Sequence, residues 1–192
     1  MLKETIQIIT RNFSPLSEEC MADFEQYAQI KSFQKGHQLV KEGQYADKMY
    51  FILNGCVKAF YLKDGKNITD WFAFEHEFIC AINSFFLFTA SPHYIELLED
   101  STMLVIARED MIMLCDKHHD FERLGRISTT KSLLQLQKRV VSLQFETAQQ
   151  RYLNLISLYP HIELRVPLGD IASHLGITQE TLSRIRAFKN RI

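Results

Sequence analysis

The chain has 192 residues, 46% of them hydrophobic and 23% charged, with a formal net charge of −1, which excludes disordered, fibrous and membrane-embedded classes and argues against an indiscriminate polyanion binder. The length suits one large domain or two small ones. No apolar run reaches the roughly 18–20 residues of a membrane span, and Met1-Leu2-Lys3-Glu4-Thr5 is polar where a signal peptide is apolar, so a cytoplasmic location without a membrane partner is expected.

Residues 1–30 read as helical. Ser17 is a good N-cap with Glu18 and Glu19 in the first turn, and Met21, Phe24, Tyr27 and Ala28 recur at helical spacing. From Phe33 to Ile106 short β-prone runs alternate with turn residues: one between Gly36 and Gly43, then Met49–Leu53 closed by Asn54-Gly55, Val57–Leu62, Asn67–Phe74, Tyr94–Leu98 and Thr102–Ile106. Asp64-Gly65 between two such runs predicts a hairpin, because a type I′ turn needs positive φ at both central residues. Many short strands at this spacing predict a sandwich or barrel.

From about Glu109 the period is helical. The stretch from about Asp120 to Glu146 has no Pro and one Gly, Gly125, and predicts a helix roughly 40 Å long at about 1.5 Å per residue. Ile127, Leu134 and Val141 fall seven apart, with Leu133 and Val140 beside them, as in a seam that faces a partner helix. The face is wide enough both to lie on the chain's own core and to form a dimer seam, and the seam is the preferred reading. Another helix follows over Thr147–Tyr159, ended by Pro160.

Charge divides the chain. Residues 1–120 hold 11 Lys/Arg against 18 Asp/Glu, and residues 121–192 hold 11 against 5. A basic second part fits a polyanionic partner. Within it, Leu168 to Ile185 matches a helix-turn-helix. Ala172 is small where the helices cross, and Gly176 tolerates a positive φ at the turn. Ile171, Leu175, Ile177, Leu182 and Ile185 face inward, and Thr178 caps the second helix. Any helical hairpin with a Gly turn would share part of this pattern; the basic tail of Arg184, Arg186, Lys189 and Arg191 favours double-stranded DNA. Gln179, Glu180, Ser183 and Arg184, beside Thr178, fall where base edges are read, while Arg186, Lys189 and Arg191 suit phosphates.

Cys20, Cys56, Cys80 and Cys115 are scattered, without a C-x-x-C pair or a partnering His cluster, so no metal or iron–sulfur site is expected. His76, His93, His118 and His119 read as surface or packing residues. Phe85-Phe86-Leu87-Phe88 reads as core or as the lining of an apolar effector pocket.

A β-rich part, a long helix and a C-terminal helix-turn-helix, in that order, resemble the Crp/Fnr family of bacterial transcription regulators. The most specific match is Leu39 to Gly55, where Ala46 is the small residue and the apolar run Phe51-Ile52-Leu53 leads through Asn54 to Gly55. The resemblance implies an α+β fold: an antiparallel, jelly-roll-like β-roll sensor domain (1–119), a long dimerisation helix (120–146) and a winged-helix-like DNA reader (147–192). It implies a homodimer on DNA, with RNA polymerase as a further candidate partner. The chain ends at Ile192, so a wing strand beyond the second helix is expected to be absent or very short.

Nucleotide binders of the family grip the cyclic phosphate with a Gly-Glu step and an Arg. The matching segment here reads Ile79-Cys80-Ala81, followed later by Ser91-Pro92, and no Lys or Arg occurs between Lys66 and Arg108. These five residues mark the expected effector pocket. A phosphate there would lack a charge-assisted pair, so cyclic AMP is not expected as effector and no cofactor is evident. Two other function classes fit the sequence less well. A ligand-sensing module without DNA binding would leave the basic tail unexplained. A cupin-type enzyme would need a His-x-His metal step, which the sequence lacks.

Overall fold

The computed structural model describes residues 1–189, with side chains as far as Ala187. The helical stretch expected over residues 1–30 is two helices, α1 (Leu2–Asn12) and α2 (Glu18–Tyr27), followed by a strand, β1 (Gln29–Phe33). Pro15 accounts for the break, since the residue before a proline is pushed out of the helical region. Ser17 caps α2, its Oγ accepting from the Cys20 amide at 3.3 Å.

The β region continues with β2 (Gln38–Val40), β3 (Lys48–Asn54), β4 (Val57–Lys63), β5 (Lys66–Ala73), β6 (Phe78–Ile79), a short helix α3 (Ile82–Leu87), β7 (Tyr94–Leu97) and β8 (Ser101–Ala107). Two four-stranded antiparallel sheets result, ordered β1-β8-β3-β6 and β2-β7-β4-β5. The Asp64-Gly65 hairpin forms as expected: Lys63 pairs with Lys66, and the two turn residues have φ of 52° and 73°. Gly55 is fixed by crowding, because a Cβ there would stand 2.0 Å from Ser101 Oγ.

Alternation along the strands serves three cores. Tyr50 and Ile52 of β3 and Met103 and Val105 of β8 point between the sheets, with Val57, Ile95 and Leu97 opposite. Their neighbours Phe51, Leu104 and Ile106 point outward into a second core with α1, α2 and the following helices. The outer side of the other sheet offers Cys56, Phe72 and Phe74 to the C-terminal helices. Strands buried on both faces read as continuous apolar runs, as Met49–Leu53 does.

The helices are α4 (Arg108–Lys117), α5 (His119–Phe145), α6 (Ala148–Leu158), α7 (Ile162–Arg165), α8 (Leu168–His174) and α9 (Gln179–Lys189). The long helix expected from about Asp120 is α5, with 27 residues. Thr147 and Gln150 form a capping box at the start of α6. Among the described residues no helix is long and apolar enough to cross a membrane.

Candidate nucleic-acid interface

Helices α8 and α9 meet through the turn at Gly176, which has a φ of +67°. Ala172 is buried where they cross, and Ile171, Leu175 and Leu182 close the joint with Ile177 and Ile185 at its margin. Thr178 Oγ1 accepts from the Thr181 amide at 3.2 Å and so caps α9. This geometry turns Gln179, Glu180, Ser183 and Arg184 outward together, one turn apart on a single face. Arg186 lies elsewhere. It is half-buried, and its Nε sits 2.5 Å from Glu163 of α7, whose carboxylate also accepts from the Tyr152 hydroxyl at 3.0 Å. Where a free phosphate contact was expected, the structure engages Arg186 in an ion pair that braces α9. The side chain of Lys189, and Arg191 altogether, lie outside the described residues.

Helix α8, on which α9 packs, is seated on the β4–β5 sheet face. The β4–β5 register shifts between Ala59, opposite Trp71, and Phe60, opposite Thr69, leaving Asp70 unpaired as a bulge. At this irregularity the Thr69 amide donates to Ser173 Oγ at 2.9 Å, and Ser173 donates in turn to the Asn67 carbonyl at 3.1 Å. Lys58 of β4 is buried and its Nζ lies 3.0 Å from Asp170 and 3.8 Å from Glu96. Arg139 of α5 donates to the His174 carbonyl at 2.9 Å and to its Nε2 at 3.1 Å. Burial first, and then the Arg139 charge, hold the His174 imidazole down to about 3. Arg165 of α7 binds Glu75 at 2.6 and 2.9 Å, grips Glu99, and lies over the Phe74 ring. Burial alone would raise Glu75, but Arg165 and the Gly55 amide bring its carboxyl down to about 2. No local sequence pattern specifies the partners in these contacts, because each joins residues far apart in sequence.

On α5, Leu133, Leu134, Val140 and Val141 are exposed and Ile127 is half-buried. Of the two uses weighed for this face, the chain's own core takes Phe121 and Leu124 at the start of the helix and leaves the later apolar positions uncovered.

The expected effector segment is packed. Ile79 and Ala81 belong to the inter-sheet core, and Ser91 Oγ donates to the His93 carbonyl at 2.8 Å. Burial pushes the Cys80 thiol up to about 12, and Pro92 is exposed. A cation that sequence spacing missed arrives from the end of β8: Arg108 donates to the Ser84 carbonyl at 3.3 Å and covers the Phe88 ring at 4.0 Å. In the run Phe85–Phe88, Phe85 is core, while Phe86, Leu87 and Phe88 are exposed.

The expectation of non-converging metal ligands needs a correction as well. Cys20, His118 and Asp120 bring one ligand atom each within 4.8 Å of one another, because α2 packs on the α4–α5 junction. Each is engaged within the protein. The Cys20 thiol and the Ser17 amide bond Asp120, and His118 Nε2 lies 2.7 Å from Asp23. The cluster thus fastens α2 to α5.

Comparison with known proteins agrees with this architecture. Residues 30–118 match the cyclic nucleotide-binding domain family. Among solved structures, FixK2 from Bradyrhizobium japonicum superposes with a TM-score of 0.73 at 18% identity, covering 85% of each chain. A Crp/Fnr-family protein from Eubacterium rectale gives 0.71 at 16% identity, covering 95% of this chain and 87% of that one. The catabolite activator protein of Thermus thermophilus gives 0.56 at 17% identity, covering 96% and 87%. No curated protein sequence matches the chain.

Proposed function

We propose that this chain, whose residues 30–118 match the cyclic nucleotide-binding domain family and whose fold is that of the Crp/Fnr structures, is a dimeric, sequence-specific DNA-binding transcription regulator. In this reading residues 1–119 sense, 120–146 dimerise and 147–192 read DNA. The observation that carries it is the outer face of α9, where Gln179, Glu180, Ser183 and Arg184 stand clear of the helix joint. Side chains of these types pair with adenine, cytosine and guanine edges, each good pair discriminating by about 1–3 kcal/mol. The exposed apolar stripe of α5 supports the two-fold, which would set two α9 helices about 34 Å apart, one turn of DNA. Arg186 must release Glu163 before it can reach a phosphate.

Cyclic AMP is not the effector in this proposal. No Gly-Glu step offers amides and a carboxylate at Cys80-Ala81, and Arg108 already serves Ser84 and Phe88. Calorimetry should show no micromolar cyclic AMP binding.

The test of DNA reading is retardation of a randomised duplex library at rising salt. Binding should weaken steeply, since each neutralised phosphate releases counterions. Inverted repeats should be selected, and Arg184→Ala should relax one position of each half-site. Absence of retardation even at low salt would refute the proposal and leave a sensing module without DNA binding.

A further inference from the structure

A cavity of about 650 Å³ lies between α5, α6, the end of α8 and β5. Its walls are largely apolar, with Phe72, Leu155 and Leu158 among them and the chain's single tryptophan, Trp71. Three cations reach it, Lys138, Arg139 and Arg151, against one carboxylate, Glu146. That carboxylate is occupied: it accepts from Ser142 and, on both oxygens, from Asn154 at 3.0 Å.

The two guanidiniums hold only neutral acceptors. Arg139 donates to the His174 carbonyl, to His174 Nε2 and to the Thr69 carbonyl at 3.5 Å. Arg151 donates to the Leu175 carbonyl at 2.9 Å and the Glu146 carbonyl at 2.7 Å. His174 and Leu175 are consecutive, so both cations converge on the C-terminal end of α8. A helix C-terminus carries roughly half a negative charge and the Asp70 carboxylate acts on Arg139 from beyond ion-pair distance, which together offset the two guanidiniums only in part. Guanidinium forks suit anions with paired oxygens, carboxylates among them, and among the described residues neither Arg139 nor Arg151 forms an ion pair within 4.0 Å.

The cavity borders the proposed dimer seam, with Val141 in its wall, but its head-group end turns away from that seam. At about 100° per residue around a helix, Gln135, Arg139, Ser142 and Glu146 lie roughly 80–140° from Leu134, and Leu133 and Val140 lie on its other side.

We propose that this cavity binds an amphipathic anion, a carboxylate on an apolar chain or ring, with its head group at Arg139 and Arg151 and its body against Trp71, Leu155 and Leu158. Arg139 ties α5 to β5 and to the end of α8, so a carboxylate that recruits it alters the joint that aims α9. This consequence rests on the DNA-binding reading; occupancy of the cavity does not.

Trp71 fluorescence of the full chain reads the binding. Titration with decanoate should give a saturable change, and 1-decanol, with the same tail and no charge, should bind at least about tenfold more weakly, the loss of one charged pair. Arg139→Gln would remove three bonds at the α8 joint, so the variants are Lys138→Glu, whose side chain is exposed, and Arg151→Gln, read beside its own melt because it too gives up a bond to the end of α8. Both should weaken decanoate severalfold and leave decanol unchanged. Equal binding of decanol and decanoate, insensitivity to both variants, or no saturation by about 1 mM would overturn the proposal. Retardation of DNA without decanoate is measured in parallel. Its loss removes the regulator reading alone, while decanoate binding that leaves DNA affinity unchanged removes the proposed coupling.

Discussion

Asp170→Ala probes how firmly α8 is seated on the sheet. The side chains of Lys58 and Asp170 are only 8% and 13% exposed, and their charged atoms are 3.0 Å apart. Removing one partner of a buried pair costs about 3–5 kcal/mol, chiefly because the other charge is stranded. Glu96, 3.8 Å from Lys58 Nζ, still shares that charge, so a loss of about 2–3 kcal/mol is expected. For a chain of this size that lowers Tm by roughly 4–12 °C. Denaturation of the parent, Asp170→Ala, Lys58→Met and the double variant completes a cycle. Once Lys58 is Met there is no stranded charge, so Asp170→Ala should cost far less, leaving a coupling of about 2 kcal/mol. Hydrogen exchange at the Thr69 amide, which donates to Ser173 of the same helix, should quicken in the single variant. A loss under about 0.5 kcal/mol, or strict additivity, would refute the reasoning.

Acid should loosen the same joint before most carboxylates titrate. His174 falls from its ordinary 6.5 to about 3, so the unfolded chain takes up the proton first and stability drains away as pH falls from 6.5 toward 3. By pH 5 the loss from this one group is about 2 kcal/mol; burial lowers His93 too and adds in the same direction. Equilibrium denaturation from pH 7 to pH 5 reads it, and His174→Gln should flatten the slope; an unchanged slope would contradict the assignment. Leu134→Glu should turn the chain monomeric in sedimentation and abolish selection of inverted repeats, while an unchanged dimer would exclude this seam. Arg186→Ala should lower stability by about 1–2 kcal/mol, since it strands the half-exposed Glu163, whereas Arg184→Ala should leave the melt unchanged and alter DNA selectivity alone.

The parts legible in sequence are those written in short-range pattern. The Asp64-Gly65 hairpin, the Ser17 and Thr147 helix starts, the length of α5 and the pair α8–α9 all rest on residues within a turn or two of one another. The two folded-in elements α3 and α7 were not legible, being short segments held by packing: Phe85 and Ile162 are buried, but neither has a repeat to announce it. The exposed face of α9 was readable because helical period places four residues together. The pairing of Arg186 with Glu163 was not, since the two stand in different helices. Nor was the convergence of Cys20, His118 and Asp120, which spacing alone counts as scattered. The strongest missed signal was Lys58, a charge inside an otherwise apolar strand, which pointed to a partner brought from elsewhere in the chain.

The third core draws Cys56, Phe72, Phe74 and Leu98 from the sheet and Tyr152, Leu155, Ile162, Val166 and Ile171 from the helices. A chain that reads as separable parts therefore has no clean place to be cut. Cleavage near Phe145 would bare an oily surface on both fragments, each missing the wall the other supplied. An exchange of the C-terminal helices between related chains would have to carry the matching sheet face with it, so under the proposed function the DNA-reading helices and the sheet they rest on would change as one unit.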